Sequence, residues 1–402
     1  MKALIIGSGV GGPVAAAAFK RVGIDSVVYE AHQSTAAALG SFLSLAPNGL
    51  AVLRALDLLD PIRAQAELPT TAIQFQNGSG RSLGVIPDNS EQLGADLSTI
   101  TIMRGALQDS LAEAATAQGA RIEFGKRMVG YTETENGVTV EFDDGTTDHG
   151  DVLIGADGIH SRTRSILDPA APKPEYTGLL NCGGVAPPVD APGTPESTMR
   201  MIFGSRAFFG YQVAPDGSVY WFVNFPYREP GRAELAAQDP AEWRRHIIDL
   251  FSDDSAFITR ILEASPVENF QTFGVYDIAS LPHWSRGRVG LLGDAAHAVS
   301  SSSGQGASLA MEDAVTLAKH LRDIDDPVKA LHAYQEARRP RVESIVAEGR
   351  RRGNNKLTTG TVQVFLRDLT LPVVFAMISW RKKHSWIFDH RIDMAAPANG
   401  AR

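Results

Sequence analysis

The sequence predicts an α/β fold in which a doubly wound domain is interrupted by an antiparallel-sheet domain and followed by a C-terminal helical segment. Three observations predict it. A strand–helix–strand unit opens the chain, buried-strand patterns return at residues 151–155 and 289–292, and short alternating segments fill much of the stretch between them. A chain of 402 residues, 44% hydrophobic and 21% charged, is long enough to bury more than one core.

The opening unit has a strand pattern over Lys2 to Ile6, an alanine-rich helix pattern over Pro13 to Val22, and a second strand pattern over Ser26 to Tyr29. Between the first strand and the helix lies the turn Gly7-Ser8-Gly9-Val10-Gly11-Gly12. A glycine-rich turn in this context brings the backbone close to a pyrophosphate, and the helix N-terminus adds free N–H groups and partial positive charge. The unit therefore predicts a Rossmann-type dinucleotide site.

Glu30 ends the second strand, at the position where a carboxylate accepts hydrogen bonds from a ribose diol. A carboxylate there disfavours a 2′-phosphate, so we expect the resident dinucleotide not to be NADP. The glycine turn alone does not distinguish FAD from NAD.

The remainder of the doubly wound domain shows the same two periodicities. We predict helices over Pro47 to Leu59, Gly105 to Gln118 and Ala307 to Leu321. We predict a hairpin at Val138 to Asp144 and buried strands over Asp151 to Gly155 and Val289 to Leu292. Between about Pro169 and Thr272, prolines and glycines separate short alternating segments, which predicts an antiparallel sheet with one helix, Pro240 to Ser252.

We accordingly assign residues 1–70, 96–168 and 273–349 to the doubly wound domain and residues 71–95 and 169–272 to the sheet domain. Residues 350–402 form the C-terminal helical segment, in which Arg350–Arg352 and Arg381–Lys383 flank an apolar stretch from Val362 to Ile378. Basic residues beside an apolar helix are also typical of a helix lying on anionic lipid, but packing on the core is the preferred interpretation and membrane association is not expected.

The composition of the chain argues against several classes of function. A formal net charge of −8 argues against a nucleic-acid partner, which favours a basic face. A single cysteine, Cys182, excludes an internal disulfide, and no run reaches the ~18 apolar residues of a membrane span, so we expect a cytoplasmic protein. The spacing of the histidines and the single cysteine predicts no metal site. We expect a monomer or weak homodimer.

Two later segments repeat the strand-to-glycine-turn pattern: Asp157-Gly158 follows the strand at 151–155, and Gly293-Asp294 follows the strand at 289–292. With the N-terminal turn, in this order, they resemble the motif set of the single-component FAD-dependent aromatic hydroxylases, the para-hydroxybenzoate hydroxylase-like family. The resemblance runs from Met1 to about Val346.

The resemblance implies a set of FAD contacts. Asp294 would accept a hydrogen bond from a ribityl hydroxyl, the segment Gly304 to Ala307 would run along the isoalloxazine, and Arg104 would contact the flavin. Asp157-Gly158 would meet both FAD and a visiting nicotinamide nucleotide. The full cofactor set is Gly7, Gly9, Val10, Gly11, Gly12, Glu30, Arg104, Gln108, Asp157, Gly158, Gly293, Asp294, Gly304, Gly306 and Ala307.

The resemblance also implies a reaction. FAD would stay bound, NADPH or NADH would visit, and a C4a-hydroperoxyflavin formed with O2 would hydroxylate or epoxidise an aromatic or polycyclic small molecule, in secondary-metabolite tailoring or antibiotic inactivation. Because the flavin carries this chemistry, we assign no catalytic acid or base to the protein. Two alternatives stay open: a flavin-dependent dehydrogenase or reductase of the same fold, and a non-catalytic flavoprotein that sequesters a ligand.

The sequence departs from the family at two places. Glu30 is followed by Ala31-His32 where an arginine is frequent, and Ser301 replaces the usual loop proline, which leaves the route of substrate deprotonation open. A substrate that needs no ring deprotonation is therefore favoured. For His297, beside Asp294, we expect a structural hydrogen bond rather than a role as a general base.

The substrate candidates lie on two aromatic segments, Ala207 to Val213 and Tyr220 to Phe225. Strand alternation places Tyr220, Phe222 and Asn224 on one face of the sheet and the intervening residues on the other. One face is expected to line an apolar cavity, with the alternative that these aromatic side chains pack a second core. The candidate substrate residues are Tyr211, Gln212, Tyr220, Phe222 and Asn224.

Overall fold

The structure is a computed structural model, and it describes residues 1–34, 41–87, 94–192, 197–356, 360–381 and 385–398. Its first layer is a six-stranded sheet. The strand order across this sheet is Ser285–Arg286, Val289–Leu291, Val152–Gly155, Lys2–Ile6, Asp25–Glu30 and Arg121–Phe124. All neighbours are parallel except the short edge strand Ser285–Arg286, as the doubly wound prediction requires. The predicted strands of the opening unit are confirmed.

Helices pack around this sheet and on one another. They are Gly11–Arg21, Pro47–Ala55, Leu59–Ala64, Arg104–Ala117, Arg162–Leu167, Asp294–His297, Gly306–Asp323 and Pro327–Asn354. We call Gly11–Arg21 the fingerprint helix and Gly306–Asp323 the second cavity helix. Small side chains let these two helices approach closely: a Cβ on Gly11 would lie 2.5 Å from Leu292 Cδ1 and 3.6 Å from the Cβ of Ala310.

One predicted helix ends early, and a second helix, Leu59–Ala64, begins where the first was expected to end. The expected helix over Pro47 to Leu59 breaks after Ala55, because Asp57 takes a left-handed backbone conformation (φ 57°). The predicted hairpin at Val138 to Asp144 is confirmed by the strands Gly137–Phe142 and Thr147–Gly150, whose turn is held by the Asp144 carboxylate accepting the N–H of Thr146 at 2.9 Å.

Two small sheets complete the first half of the chain. One contains Met128–Thr134, Gly137–Phe142 and Thr147–Gly150, and the other contains Phe42–Leu45, Thr99–Met103 and Leu68–Thr70. Short 3₁₀ turns occur at Ala95–Leu97, Val267–Phe270 and Ser301–Ser303.

The second large layer is a seven-stranded sheet. Its order is Phe273–Asp277, Glu175–Ala186, Val219–Pro226, Phe208–Val213, Thr198–Phe203, Ala72–Asn77 and Ser82–Pro87. The sheet is antiparallel with one exception: Thr198–Phe203 runs parallel to Ala72–Asn77, two strands that are distant in the chain. The strand Phe273–Asp277 falls just beyond the expected boundary at residue 272, yet it pairs with Glu175–Ala186 in this sheet.

The prediction of a single helix in this region is wrong. The structure has Arg232–Ala236, Pro240–Leu250 and Ala256–Ala264. The last of these buries Phe257, Ile258, Ile261 and Leu262 against one face of the sheet, so its apolar periodicity was present in the sequence.

The C-terminal part contributes the helices Thr361–Arg381, which we call the wall helix, and Ser385–Phe388. The wall helix packs on the sheet edge, where Phe375 stacks on Phe75 with ring centroids 4.3 Å apart. Its outer side exposes Val362, Phe365 and Leu369. Among the described helices, none combines the length and apolar character needed to cross a bilayer. Lys382 and Lys383 of the expected basic cluster lie outside the described residues.

Candidate functional site

A cavity of about 1190 Å³ lies between the glycine turns of the six-stranded sheet and one face of the seven-stranded sheet. A site for one small molecule usually occupies about 300–1000 Å³, so this cavity has room for more than one ligand-sized group. The predicted cofactor residues that line it come from five distant segments. They are Gly9, Val10, Gly11, Arg104, Gln108, Gly158, Gly293, Asp294, Gly304, Gly306 and Ala307.

The N-terminal turn opens into this cavity. Gly7 has φ 106°, and a Cβ there would lie 2.5 Å from the carbonyl oxygen of Ala156, so only glycine fits. A Cβ on Gly12 would overlap the carbonyl oxygen of Gly7. No side chain caps the fingerprint helix, and its first turn carries no acidic residue. Its first N–H groups are thus free to bind an anion.

A second helix N-terminus faces the same cavity. In the loop Ser300 to Gln305, Gly304 adopts the left-handed conformation with φ 64°. The second cavity helix starts directly after this loop, at Gly306. This helix also lacks a side-chain cap and an acidic residue in its first turn. The two helices therefore direct positive helix-dipole ends into one enclosed volume, which suits a ligand with negative charge at two separated places.

Asp294 lies on the cavity wall at the corner after the strand Val289–Leu291. Burial raises the pKa of its carboxyl group, and the charges of His297 and Arg104 oppose that shift only in part. No described residue donates a hydrogen bond to this carboxylate. Asp294 is half-buried, and a carboxylate that a bound ligand would cover costs free energy unless a donor reaches it. The site therefore suits a ligand that offers a hydroxyl or N–H donor to Asp294.

Gly7, Gly12, Glu30 and Asp157 do not line the cavity. Gly7 and Gly12 shape the turn on its side away from the cavity. The Glu30 carboxylate accepts the N–H groups of Ser8 at 2.8 Å and His32 at 2.9 Å, which places it beside the turn. Asp157 accepts from Ser161 Oγ at 2.6 Å and from the N–H of Thr163 at 2.9 Å, so its carboxylate secures the start of the next helix while Gly158 presents its backbone to the cavity.

The candidate substrate residues divide between the two faces of the seven-stranded sheet. Phe222 and Asn224 line the cavity. Tyr211 does not, and the expectation that it faces the substrate is wrong: it pairs with Trp221 on the opposite face and packs among the helices there, with its hydroxyl donating to the carbonyl of Pro192. The alternation was correct, but a single strand does not reveal which face is covered by helices.

The other two candidates lie behind the cavity wall. Gln212 is buried and donates from Nε2 to the carbonyl of Pro69 at 2.8 Å, while its Oε1 accepts from Thr70 at 3.1 Å. The ring of Tyr220 meets Phe42 edge to face at 5.7 Å between centroids. Neither side chain reaches the cavity surface, so both support neighbours that do.

The sequence missed Lys356. Its Nζ donates to Asn224 Oδ1 at 2.7 Å and lies 4.3 Å from the ring centroid of Phe208, on the cavity wall. In the sequence Lys356 lies four residues after the basic cluster Arg350–Arg352, and no local pattern marks it as a site residue. Only the return of the C-terminal segment across the sheet brings it to the site.

The sequence also missed a buried ionic cluster behind the second cavity helix. Arg338 donates from Nε to Asp313 at 2.7 Å and from a terminal nitrogen to Glu312 at 2.6 Å, and Arg341 binds Glu312 at 2.8 Å. His297 contacts Asp313 through Nε2, which is the structural hydrogen bond expected for it. The signal available in the sequence was the pair Glu312 and Asp313, two acidic residues on the buried side of a helix with an apolar pattern.

Comparisons with known proteins agree with this geometry. A family described as FAD binding domain matches residues 1–349. The FAD-dependent urate hydroxylase of Klebsiella pneumoniae subsp. pneumoniae is 31% identical over 88% of this chain and 89% of its own length. The aurachin C monooxygenase/isomerase of Stigmatella aurantiaca is 30% identical over 87% of this chain and 88% of its own length.

A solved structure is also similar. The crystal structure of Klebsiella pneumoniae HpxO complexed with FAD and uric acid superposes with a TM-score of 0.82 at 28% identity, covering 93% of each chain. The cavity described above fits the same cofactor: two free helix N-termini suit its phosphates and its flavin edge, and Asp294 suits a hydroxyl of the chain between them.

Proposed function

Because the chain belongs to the family of FAD-dependent aromatic hydroxylases, we propose that it oxygenates an aromatic or polycyclic small molecule with NADPH or NADH and O2. It is an oxidoreductase with FAD as its cofactor, and it is similar to the FAD-dependent urate hydroxylase and to the aurachin C monooxygenase/isomerase. The proposal includes NADPH or NADH as the electron donor, an aromatic or polycyclic ring as the target, and entry of oxygen as a hydroxyl or an epoxide.

One observation supports the proposal most strongly. A single cavity carries two free helix N-termini on one side and an apolar, aromatic sheet face on the other. The apolar side includes Phe203, Phe208, Phe222, Leu371 and Phe375. Such a surface favours a planar ring compound over a sugar or a peptide. FAD, when bound, supplies the electron transfer and the activation of O2.

The protein's own residues then bind, orient and exclude water. We assign the phosphates of FAD to the N-terminus of the fingerprint helix and its flavin edge to Gly304, Gly306 and Ala307, where the second helix dipole stabilises negative charge. The Asp294 carboxylate accepts a hydrogen bond from a hydroxyl of the ribityl chain of FAD. The side chains of the sheet face and of the wall helix surround the reacting ring with apolar surface, which keeps water away from it.

Arg104 and Gln108 lie on the same cavity wall, one helical turn apart at the start of the helix Arg104–Ala117. Arg104 contributes a positive charge near Asp294, as the effect on the Asp294 pKa indicates. We propose that Arg104 contacts the flavin and that Gln108 and the backbone of Gly158 complete that wall. The nicotinamide nucleotide visits this site without a glycine turn of its own, and the C4a-hydroperoxyflavin route stays a prediction.

The experiment is a screen of the FAD-loaded protein against ring compounds, including urate because a similar protein is named for it. A substrate is expected to accelerate NADPH or NADH oxidation, to require O2, and to yield a product carrying one added oxygen atom that derives from ¹⁸O₂. A product that has lost two hydrogens and gained no oxygen would replace the proposal with the dehydrogenase alternative. Ligand binding with no turnover across the screen would replace it with the sequestering flavoprotein.

A further inference from the structure

Two polar groups interrupt the apolar side of the cavity. The Asn224 side chain is 1% exposed, and its Oδ1 accepts a hydrogen bond from Lys356 Nζ at 2.7 Å. An ammonium group has three donors and no acceptor, so the amide oxygen faces the lysine and the amide nitrogen needs an acceptor from elsewhere. Among the described residues, Asn224 Nδ2 has no hydrogen-bond partner although it is buried. A buried N–H₂ group of this kind requires an acceptor.

Lys356 reaches this place from the end of the long helix Pro327–Asn354, where its own N–H donates to the carbonyl of Gly353 at 2.9 Å. Its ammonium lies over two aromatic rings, 4.3 Å from the centroid of Phe208 and 5.9 Å from that of Phe222. Ring faces attract a cation, and they hold the ammonium against the apolar wall. Burial lowers the pKa of Lys356 to about 7, and the charge of Arg352 adds to that effect.

No carboxylate neutralises Lys356 among the described residues. Glu348 is the acidic residue on the same cavity wall, and it binds Arg352 through Nε at 2.9 Å and also Arg351. The charged groups around Lys356 on this wall are therefore Glu348 with its two arginines, and its uncharged polar neighbour is Asn224. An ammonium with donors to spare lies beside an amide N–H₂ with none of its hydrogens bonded.

We propose that Lys356 and Asn224 together bind an acceptor oxygen, a carbonyl or enolate carried by the ring of the substrate. The pair thereby selects ring compounds that bear such an oxygen over the same rings without it. This inference rests on the proposed function for the cavity, since it places the substrate ring against Phe222. It adds a class of substrate and two residues that determine specificity.

The size of the selection follows from the donors. A site built to hydrogen-bond an oxygen leaves two buried donors unpaired when the oxygen is missing, and that loss is larger than the loss of an equal area of apolar contact. We expect a ring with the oxygen to bind about tenfold to hundredfold more tightly than the ring without it.

The test uses matched pairs of ring compounds: 4-quinolone with quinoline, oxindole with indole, and 1-naphthol with naphthalene. Each is titrated into the oxidised FAD-loaded protein without NADPH or NADH, and the flavin absorbance change gives Kd. The preference is the ratio of the two Kd values in a pair. Because no turnover is involved, this equilibrium measurement gives a result whether or not the proposed oxygenation is observed.

For the native protein we expect at least one pair to show the preference. Lys356→Met and Asn224→Leu should each lower it several-fold, because the ring with the oxygen loses a donor and the oxygen-free ring no longer leaves that donor unpaired. Lys329→Met, which removes an exposed lysine of the same long helix, should keep the native preference. A merely structural role of Lys356 would weaken both members of a pair equally. Absence of any preference, or a preference that survives Lys356→Met, overturns the proposal.

Discussion

The Asp313 carboxylate accepts the backbone N–H of Gly293 at 2.9 Å, and this contact fixes the corner from which Asp294 faces the cavity. The same carboxylate binds His297 and, through its other oxygen, Arg338 at 2.7 Å. Asp313 is fully buried and does not itself line the cavity. The ionic cluster behind the second cavity helix therefore holds the Gly293 corner against the middle of that helix, where Glu312 and Asp313 lie.

Arg338→Met tests how much stability this cluster supplies. It would leave Glu312 and Asp313 buried without their shared guanidinium, and breaking a buried ion pair in this way costs about 3–5 kcal/mol. Urea unfolding should show a loss of that size. Arg339→Met, at the next position, removes a solvent-exposed ion pair with Glu343 at 3.8 Å and a solvent-exposed hydrogen bond to the carbonyl of Pro282 at 3.2 Å, and it should lose only about 1 kcal/mol. Equal losses in the two variants would show that the cluster does not stabilise the fold.

The same cluster predicts a dependence of stability on pH. Burial alone would raise the pKa of Asp313, but the charges of His297 and Arg338 and the hydrogen bonds it accepts outweigh burial and lower it to about 2. A carboxyl whose pKa is lower in the folded state stabilises the fold above its unfolded value. That stability should be lost as pH falls from about 4 to about 2. Asp313→Asn should flatten this part of the curve of unfolding free energy against pH, and an unchanged slope would refute the assignment.

Gly12→Ala tests the shape of the glycine turn. The added Cβ would overlap the carbonyl oxygen of Gly7, so either the helix or the turn must move. We expect about 1–3 kcal/mol of destabilisation and a clear fall in the FAD-to-protein ratio of the purified protein, measured by absorbance. Gly231→Ala is the matched control, because a Cβ there meets no atom within 4 Å. Full FAD occupancy in Gly12→Ala would mean that the turn does not shape the FAD site.

Asp294→Ala tests the ribityl contact. Removing this half-buried acceptor on the cavity wall should weaken FAD binding about tenfold or more, as measured by flavin fluorescence during titration of the apoprotein. Asp253→Ala, which removes an exposed carboxylate of the sheet domain, should leave FAD affinity unchanged. Native affinity in Asp294→Ala would remove this residue from the cofactor site.

Much of the fold was predictable because its signals are local. The turn from Gly7 to Gly12 and the corner at Gly293 and Asp294 each follow a strand and open a helix, so residue order alone defines their geometry. The alternation along Tyr220 to Phe225 was equally local. Which face of that strand meets the cavity was not, because helices distant in the chain cover the Trp221 side. Tyr211 was misplaced for the same reason.

Other parts of the site depend on contacts that no local pattern encodes. Lys356 and Asn224 are 132 positions apart, and Arg338 is 25 positions from Asp313. A lysine after three arginines has the sequence context of a surface charge, and its burial follows only from the path of the long helix across the seven-stranded sheet. The break at Asp57 was missed because the flanking leucines continue an apolar pattern through it.

The central claim is that one cavity receives both the flavin and the substrate ring. A crystal structure of the FAD-loaded protein with a bound ring compound tests it most directly. We predict a ribityl hydroxyl at Asp294, the flavin edge along Gly304 to Ala307, and the ring between the flavin and Phe222. A flavin ring system found outside this cavity, or a substrate ring bound on the Tyr211 face of the sheet, would contradict the account.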